Sequence, residues 1–287
     1  MKSKKILLLG AMICSLIFGL GITSCQKMYR PPLVLIPDPP PPPYNPLKSY
    51  FSFENNLTDS GELKLSATGK NITYGAGVAG QAAKIGADGY ILIQDVGDTI
   101  KNLGSFTFAW WMNGPTGPVT GGAQGILSIA NKNEFWGNLE IFLENYSNPA
   151  DPNAVFMKIH LLNGNAATGN GEEWIADDNL KMTNVLNKWT HFALTYNAAT
   201  SKLSLYKDGV PTATYNKTLG GGTYGAVKFN NVTGMTIGNF SFQTIPTLAN
   251  HGPEPWAKPF NGSIDQVRIY NKALTDAEVS SLFTSKR

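Results

Sequence analysis

The stretch WTHFALTYNAATSKLSLYKDGV, residues 189–210, carries the clearest signal for the fold of this 287-residue chain. Apolar side chains alternate along its first half, so that Phe192, Leu194 and Tyr196 fall on one face of an extended strand. The dipeptide Asp208-Gly209 follows a second strand-like run, and both residues tolerate the positive φ that a tight hairpin turn needs. The stretch therefore predicts antiparallel strands and a hairpin.

Short strand-like runs of the same kind recur on both sides of this stretch, through residues 48–287. They are separated by glycine, asparagine and proline turns, and only the C-terminus predicts a helix. There, Thr275 and Glu278 have the spacing of a capping box, and Val279 and Leu282 begin an apolar face at helical spacing. An almost all-β chain with regularly spaced strands predicts a sandwich or jelly roll.

The N-terminus resembles the export signal of a bacterial lipoprotein. Residues 1–24 begin with lysines and continue into an apolar run that is shorter than the ~20 residues of a spanning helix. Ile22-Thr23-Ser24-Cys25 resembles a lipobox, in which the cysteine is lipidated and becomes the new N-terminus. We therefore expect a lipid anchor on Cys25; the alternative is an ordinary cleaved signal with an incidental cysteine. Loss of the leader would remove Cys14 and leave no partner for a disulfide.

Residues 25–47 form a predicted stalk. Nine of the 18 prolines lie between Pro31 and Pro46, and five of them are consecutive. Because proline fixes φ and lacks an amide donor, the segment predicts polyproline II, with a reach of at most ~70 Å at ~3.1 Å per residue. Such a stalk would hold a folded domain away from a membrane, toward a bulky partner. Alternatively, it is a plain linker that clears neighbouring surface structures.

The charge balance argues against one class of partner. The chain has 23 lysines and arginines against 20 aspartates and glutamates, and Lys2, Lys4 and Lys5 of the leader account for the whole excess. A neutral mature chain argues against nucleic-acid binding, which requires clustered positive charge. It also gives no reason to expect electrostatic docking on an anionic membrane.

Together with residues 189–210, four further segments resemble laminin-G-like domains of the concanavalin A-like lectin/glucanase superfamily. They are YFSFENNLTDSG at 50–61, SFTFAWWMNG at 105–114, MTIGN at 235–239 and FNGSIDQVRIYNKALTDAEVSSLF at 260–283, in the family's order. The resemblance implies an all-β, concanavalin A-like jelly-roll sandwich of two curved antiparallel sheets with a short C-terminal helix. It does not fix the activity, because the superfamily contains lectins, hydrolases and adhesion modules.

The resemblance also implies a structural Ca²⁺ site. In laminin-G-like domains of this type, acidic residues in the opening turn and in the late IDxVRIY strand often hold the ion, and Asp59 and Asp265 stand at those positions. Carboxylates from two distant segments would supply oxygen ligands and tie the ends of the domain together. The family often has a second acid where this chain has Gln266. Asp59 could instead be a turn residue whose side chain bonds its own backbone.

Glu140 and Glu144 carry the enzymatic alternative. The sequence EIFLE, residues 140–144, resembles the E-I-D-x-x-E signature of laminarinase-type glucanases, in which two glutamates act as nucleophile and acid/base. Here Phe142 replaces the aspartate, and the spacing is one residue short. Four steps along a regular strand separate the two residues by ~13 Å, whereas retaining hydrolysis needs carboxyl groups ~5–5.5 Å apart. The alternative is two polar residues on one face of a half-exposed strand.

Three tryptophans suggest a binding surface. Trp136, Trp174 and Trp256 lie in or beside loops, among asparagines and glutamates. The flat C–H faces of sugars stack on indole rings, and sugar hydroxyls bond to amides and carboxylates, so this combination favours glycans. We take these tryptophans, with Glu140, as candidate ligand-binding residues. The alternative is that each tryptophan pins its own loop onto the sandwich.

The features together predict a cell-envelope protein, held at the outer membrane by its lipid anchor, that binds glycans without cleaving them. Two other functions stay open. One is a glycoside hydrolase that uses Glu140 and Glu144. The other is a protein-binding adhesion module, which a broad exposed apolar patch would favour over an aromatic-lined groove.

Overall fold

Nearly all regular structure in the described part of the chain is β-strand. The computed structural model describes residues 44–145, 154–165, 171–175 and 181–286. The strands are β1 (Leu47–Phe51), β2 (Thr68–Ala76), β3 (Gln81–Ile93), β4 (Phe106–Asn113), β5 (Ala123–Ile129), β6 (Leu139–Leu143), β7 (Val155–Leu162), β8 (Glu172–Ile175), β9 (Lys181–Met182), β10 (Trp189–Asn197), β11 (Lys202–Lys207), β12 (Val210–Thr218), β13 (Met235–Ile237), β14 (Ala257–Pro259) and β15 (Ser263–Tyr270). The helices are α1 (Gly97–Lys101) and α2 (Asp276–Ser285), and short 3₁₀ turns occupy Leu219–Gly222 and Ser241–Gln243.

The strands form a curled, continuous sheet. Its hydrogen-bonded order is β12-β11-β10-β4-β15-β3-β13-β5-β6-β7-β8. The remaining strands β1, β2, β9 and β14 pair with β15, β3, β7 and β5, respectively, and the β14–β5 contact is parallel whereas the other pairings are antiparallel. This arrangement confirms the predicted all-β jelly roll with a C-terminal helix.

The main core lies inside the curl. Side chains along β6 alternate between the two faces of the sheet. Every second residue, Leu139, Ile141 and Leu143, belongs to the main core. Glu140 and Phe142 therefore point to the opposite, outer face, where Phe142 joins a separate aromatic cluster. The outer face of β5, β6 and β7 is where the candidate site lies.

Two local predictions are confirmed. Asp208 and Gly209 have φ values of 50° and 79° and join β11 to β12, whose residues Lys207 and Val210 pair across the turn. At the start of α2, the Thr275 hydroxyl accepts a hydrogen bond from the Glu278 amide, and the Glu278 carboxylate accepts one from the Thr275 amide. These turn and cap residues act through the local backbone and could be recognised from the sequence.

The consecutive tryptophans of β4 point to opposite faces, as a strand requires. Trp110 stacks on Phe192 in the core, with the ring centroids 5.6 Å apart. Trp111 lies on the outer face and stacks on Phe283 of α2, also at 5.6 Å. Helix α2 thus covers the outer face of β4, on the layer opposite the candidate site.

The predicted leader, Cys25 and the stalk up to residue 43 lie outside the described residues, so the lipid anchor and the stalk stay predictions. The helices of the described residues are too short or too polar to cross a membrane.

Candidate functional site

A row of side chains crosses five neighbouring strands on the outer face. Ser128 of β5 pairs with Glu140 of β6, and Glu140 pairs with His160 of β7. His160 pairs in turn with Trp174 of β8, and Thr236 of β13 lies opposite Ser128. Residues directly opposite each other in antiparallel strands share a face, so side chains that are distant in sequence become neighbours here.

The three predicted tryptophans lie together at this row. The ring of Trp136 is 5.1 Å from Trp174, at an interplanar angle of 89°, and 5.6 Å from Trp256. It also stacks on Phe142 at 5.5 Å and 7°. Trp136 and Trp174 are half-buried and Trp256 is 36% exposed, so each ring keeps some exposed surface. Trp136 and Trp174 pack against the aromatic cluster of the outer face, which agrees with a role in holding their loops, and contact of the three rings with a ligand stays a prediction.

A cavity of about 350 Å³ opens beside Trp136. Its size is at the lower end of the ~300–1,000 Å³ typical of ligand sites. Trp136 and Phe135 form an aromatic wall, and most of the other lining residues are polar. The polar lining consists of Asn131, Asn138, Asn163, Asn230, Asn231, Glu134, Glu172 and His160. We call this cavity the asparagine pocket.

Asn138 connects two chain segments through hydrogen bonds at the base of the asparagine pocket. It is fully buried, and its amide donates to the carbonyls of Ala130 and Asn230, each at 2.9 Å. Its carbonyl oxygen accepts from the Asn131 side chain and the Asn230 backbone amide, both at 3.2 Å. All the polar capacity of this side chain is used to hold the loop after β5 against the segment before β13.

Asn163, directly after β7, likewise connects chain segments through hydrogen bonds. Its amide donates to the Tyr224 carbonyl at 2.7 Å, and its oxygen accepts from the backbone amides of Asn165 and Lys228 at 3.0 Å. Gly164 follows, and a Cβ there would lie 2.1 Å from the side-chain nitrogen of Asn230, so a larger residue at 164 would displace the Asn230 side chain.

Asn230 and Asn231 differ from the bracing asparagines. Within the part of the chain that the structure describes, their side chains make no hydrogen bond, and Asn231 is exposed. An amide with a free donor and a free acceptor can bond both lone pairs and protons of a sugar hydroxyl. These two residues are therefore the polar groups most available to a ligand.

His160, Glu172 and Trp174 form a hydrogen-bonded group at the edge of the pocket. The Glu172 carboxylate accepts from the Trp174 indole N–H at 3.0 Å and lies 3.3 Å from the His160 Nε2. Burial lowers the pKa of His160 to about 4, although the carboxylate of Glu172 acts in the opposite direction. The imidazole is therefore neutral near pH 7, and it fixes the position of the acid.

We expect the buried His160 to make the domain acid-sensitive. Because the pKa is about 4 in the folded state and about 6.5 in the unfolded state, protonation favours unfolding, and stability is lost as the pH falls from about 6.5 toward 4. The shift corresponds to about 3 kcal/mol at most. Urea unfolding at pH 7 and pH 4.5 should show a clearly smaller pH-dependent loss in His160→Gln than in the wild type. An equal loss in the two proteins would contradict this assignment.

Glu140 lies beneath this surface. Its side chain is 0% exposed, and one carboxyl oxygen accepts from the Ser128 hydroxyl at 2.8 Å while the other has no hydrogen-bond partner among the described residues. Burial raises its pKa well above the usual range, which favours the neutral carboxylic acid. The side chain predicted to contact a ligand is thus buried under the site, where it accepts a hydrogen bond from Ser128.

Glu144 does not form a catalytic pair with Glu140. Its carboxylate binds Lys158 at 2.6 Å, and it follows the last residue of β6. Phe142 occupies the same strand face between the two glutamates and is itself covered by Trp136. Glu140 is thus buried and Glu144 is held in an ion pair, whereas a retaining hydrolase needs two carboxyl groups that face the same cleft.

Asp59 has the turn role that was the alternative to metal binding. One carboxylate oxygen accepts from the amides of Tyr50 and Gly61, at 2.7 and 2.8 Å, and the other accepts from the Leu65 amide at 2.8 Å. Both oxygens accept from backbone amides, as the turn alternative requires, and a role of Asp59 as a calcium ligand stays a prediction. Its position on the turn is explained by these three bonds.

Asp265 offers a better fit to a cation. One carboxylate oxygen accepts from the Val78 amide at 2.9 Å, while the other is buried without a side-chain or backbone partner among the described residues. Burial raises the pKa of Asp265 to about 6. Glu54, whose negative charge also acts on Asp265, accepts from the Gln81 amide at 2.9 Å at the same turn. Among the described residues, however, no group of three or more acids, histidines or cysteines is arranged to hold a metal.

The sequence indicated the tryptophans with the asparagines and glutamates next to them, but not the other residues that build the asparagine pocket. Asn138 and Asn163 stand next to strand ends and Asn230 lies in the loop before β13, where asparagine is common for turn reasons alone. His160 lies in the middle of β7, where a histidine is commonly a packing residue. Only the pairing of β6, β7 and β8 places these side chains around one cavity.

Comparison with known proteins agrees with this architecture. A family model described as the concanavalin A-like lectin/glucanases superfamily matches residues 85–280. None of the curated proteins compared with the chain matches it.

Solved structures with the same fold include carbohydrate-binding domains. Domain 4 of AbnA, a GH43 extracellular arabinanase from Geobacillus stearothermophilus in complex with arabinotriose, is 19% identical with a TM-score of 0.53, over 82% of this chain and 97% of that domain. The binding domain of botulinum neurotoxin DC, in complex with SialylT, is 14% identical with a TM-score of 0.56, over 85% of this chain and 52% of the other. The same toxin domain in complex with rat synaptotagmin II is 15% identical with a TM-score of 0.55, over 84% of this chain and 51% of the other. The chain thus spans about half the length of the toxin domains, and identities this low show the fold alone.

Proposed function

The chain belongs to the concanavalin A-like lectin/glucanases superfamily, and on that premise we propose that it binds glycans, without cleaving them, in the asparagine pocket beside Trp136. The observation that carries the proposal is the meeting of one aromatic wall with the amides of Asn230 and Asn231 and with two carboxylates around a single cavity. An indole face takes the apolar side of a sugar ring, and the polar lining takes its hydroxyls. The arabinotriose complex of the AbnA domain supports the proposal by analogy of fold.

Hydrolysis is not favoured by the arrangement of Glu140 and Glu144. A retaining enzyme needs a solvent-accessible nucleophile and an acid/base close to it. Here Glu140 is fully buried and Glu144 is bound to Lys158. The carboxylates that do line the pocket, Glu134 and Glu172, can accept hydrogen bonds from sugar hydroxyls, which is a binding role.

The proposal is tested by binding and turnover measured together. The folded domain, residues 44–287, is titrated with neutral glucans, mannans and arabinans by isothermal calorimetry, and the same mixtures are incubated and analysed for shortened products. We expect binding of at least one glycan and no new reducing ends. Release of shortened oligosaccharides would support the hydrolase instead, and no binding to any glycan would contradict the proposal.

We further propose that the domain is displayed on the cell envelope by acylated Cys25 and the proline-rich stalk. The lipobox resemblance and the neutral charge of the mature chain support a lipid anchor over electrostatic attachment. In cells, Cys25→Ser should move the protein from the membrane fraction to the soluble fraction, and retention in the membrane would contradict the anchor.

A structural calcium ion is proposed at Asp265 rather than at Asp59. Asp265 has an unpartnered buried oxygen and a second acid, Glu54, at the same turn. An ion bound only to the folded state raises the melting temperature, so 5 mM Ca²⁺ should stabilise the wild type by several degrees over a chelator control. The increment should vanish in Asp265→Asn and persist in Glu62→Gln, a control outside this turn. No increment in the wild type would contradict the site.

A further inference from the structure

We infer that the asparagine pocket selects neutral glycans and rejects those that carry carboxylate or sulfate groups. The inference rests on the proposed function and names the class of ligand. It follows from the charges that line the pocket, from those that surround it, and from the hydrogen-bonding groups left free inside it.

The pocket lining itself is negative. Among the residues that the structure describes, its charged side chains are the carboxylates of Glu134 and Glu172, and no lysine or arginine lines the cavity. His160 does not compensate, because burial keeps its imidazole neutral near pH 7 with a pKa of about 4. An anionic sugar would therefore meet two like charges and no cation.

One of these carboxylates is held in place. The Glu172 carboxylate accepts a hydrogen bond from the Trp174 indole N–H at 3.0 Å and lies 3.3 Å from the His160 ring nitrogen. These contacts hold the carboxylate in place when an anion approaches. Glu134 is exposed on the loop that also carries Trp136. Like charges brought together at a binding surface are a strong source of discrimination between ligands.

Among the described residues, the lysines nearest to the pocket in sequence do not line it. Lys132 and Lys228 neighbour pocket residues in the chain, but both are exposed and neither lines the cavity. Lys217, near β8, is bound to Glu173 at 2.8 Å. The segments 146–153, 166–170 and 176–180, outside the described residues, contain no lysine or arginine in their sequence.

The free polar groups suit hydroxyls. Asn230 and Asn231 each offer a neutral donor and a neutral acceptor, and Glu134 offers acceptors, which together match the two-way hydrogen bonding of a sugar hydroxyl. Strong recognition of a carboxylate or sulfate needs charged donors such as the guanidinium of arginine. The neutral glycan is thus the ligand whose polar groups the lining can satisfy.

The test compares a neutral glycan with its own carboxylated form. The neutral polysaccharide that binds best in calorimetry is oxidised at its primary hydroxyls, and lactose is compared with sialyllactose as a second matched pair. We expect the acidic form to bind at least tenfold more weakly at 50 mM salt. The difference should shrink at 500 mM salt, because added ions screen the repulsion.

A charge reversal locates the effect. Glu134→Lys should improve binding of the acidic form at least threefold, whereas the control Asp88→Lys, which changes charge by the same amount outside the pocket, should leave both affinities unchanged. Equal or tighter binding of the acidic glycan by the wild type, or no gain in Glu134→Lys, would overturn the inference and leave glycan binding standing. Failure of every neutral and acidic glycan to bind would overturn both.

Discussion

Trp136→Ala should weaken glycan binding by about 30-fold or more, the largest loss expected from a single substitution in the pocket. Trp136 forms the aromatic wall and contacts both Trp174 and Trp256, so its removal takes away the stacking surface and loosens the rings beside it. Truncation of a central tryptophan at an interface typically costs about 2 kcal/mol or more, which corresponds to this factor. Calorimetric titration of the wild type and the variant with the same neutral oligosaccharide measures the change.

The same substitution leaves a gap in a half-buried cluster, so a stability cost of about 2–3 kcal/mol is also expected. Trp136→Phe is the matched control, because it keeps an aromatic face on Phe142 and should retain most of the stability and part of the affinity. Circular dichroism establishes that each variant is folded at the temperature of the titration. Unchanged affinity in folded Trp136→Ala would show that the ligand binds elsewhere.

Asn138→Ala should destabilise the domain by about 3 kcal/mol. The buried side chain makes four hydrogen bonds, and its loss leaves the carbonyls of Ala130 and Asn230 without these donors. Each buried polar group left unsatisfied costs about 1–3 kcal/mol. Urea unfolding followed by tryptophan fluorescence measures the change as a lower transition midpoint.

Asn231→Ala is the matched control for Asn138→Ala. Asn231 lines the same pocket but is exposed, and its side chain has no hydrogen bond among the described residues. We expect a stability change within about 0.5 kcal/mol, together with weaker glycan binding. If Asn138→Ala unfolded at the wild-type urea concentration, the bracing role assigned to Asn138 would be wrong.

The fold could be predicted from residues that act locally. Asp208-Gly209 requires only its own backbone to turn the chain, and Thr275 with Glu278 caps α2 within one helical turn. The consecutive Trp110 and Trp111 must point to opposite faces in any strand. Because such signals recur along the chain, the all-β class and the C-terminal helix could be predicted without knowledge of contacts between distant segments.

The site was predicted only in part, because it depends on strand register. The loop positions and polar neighbours of Trp136, Trp174 and Trp256 predicted a binding surface. The structure brings the three rings together. No local pattern shows that Glu140 and His160 are directly opposite each other on adjacent strands, nor that Glu140 is fully buried. A shift of one residue in the register of either strand would turn the side chain of that strand, Glu140 or His160, to the core.

Asp59 shows a second limit of sequence reasoning. An acidic residue in a turn has the same appearance whether it binds a cation or its own backbone. Here three backbone amides occupy both of its oxygens, whereas Asp265 keeps one oxygen without a partner. The distinction lies in hydrogen-bond geometry and could not be read from residue type or spacing.

The indole N–H signals of the six tryptophans test the location of glycan binding most directly. In a ¹⁵N-labelled domain titrated with a neutral oligosaccharide, the signals of Trp136 and Trp174 should shift progressively with saturation. The signals of Trp110, in the core, and Trp111, beneath α2, should stay in place. Saturable binding that leaves Trp136 and Trp174 unmoved would contradict a glycan site in the asparagine pocket.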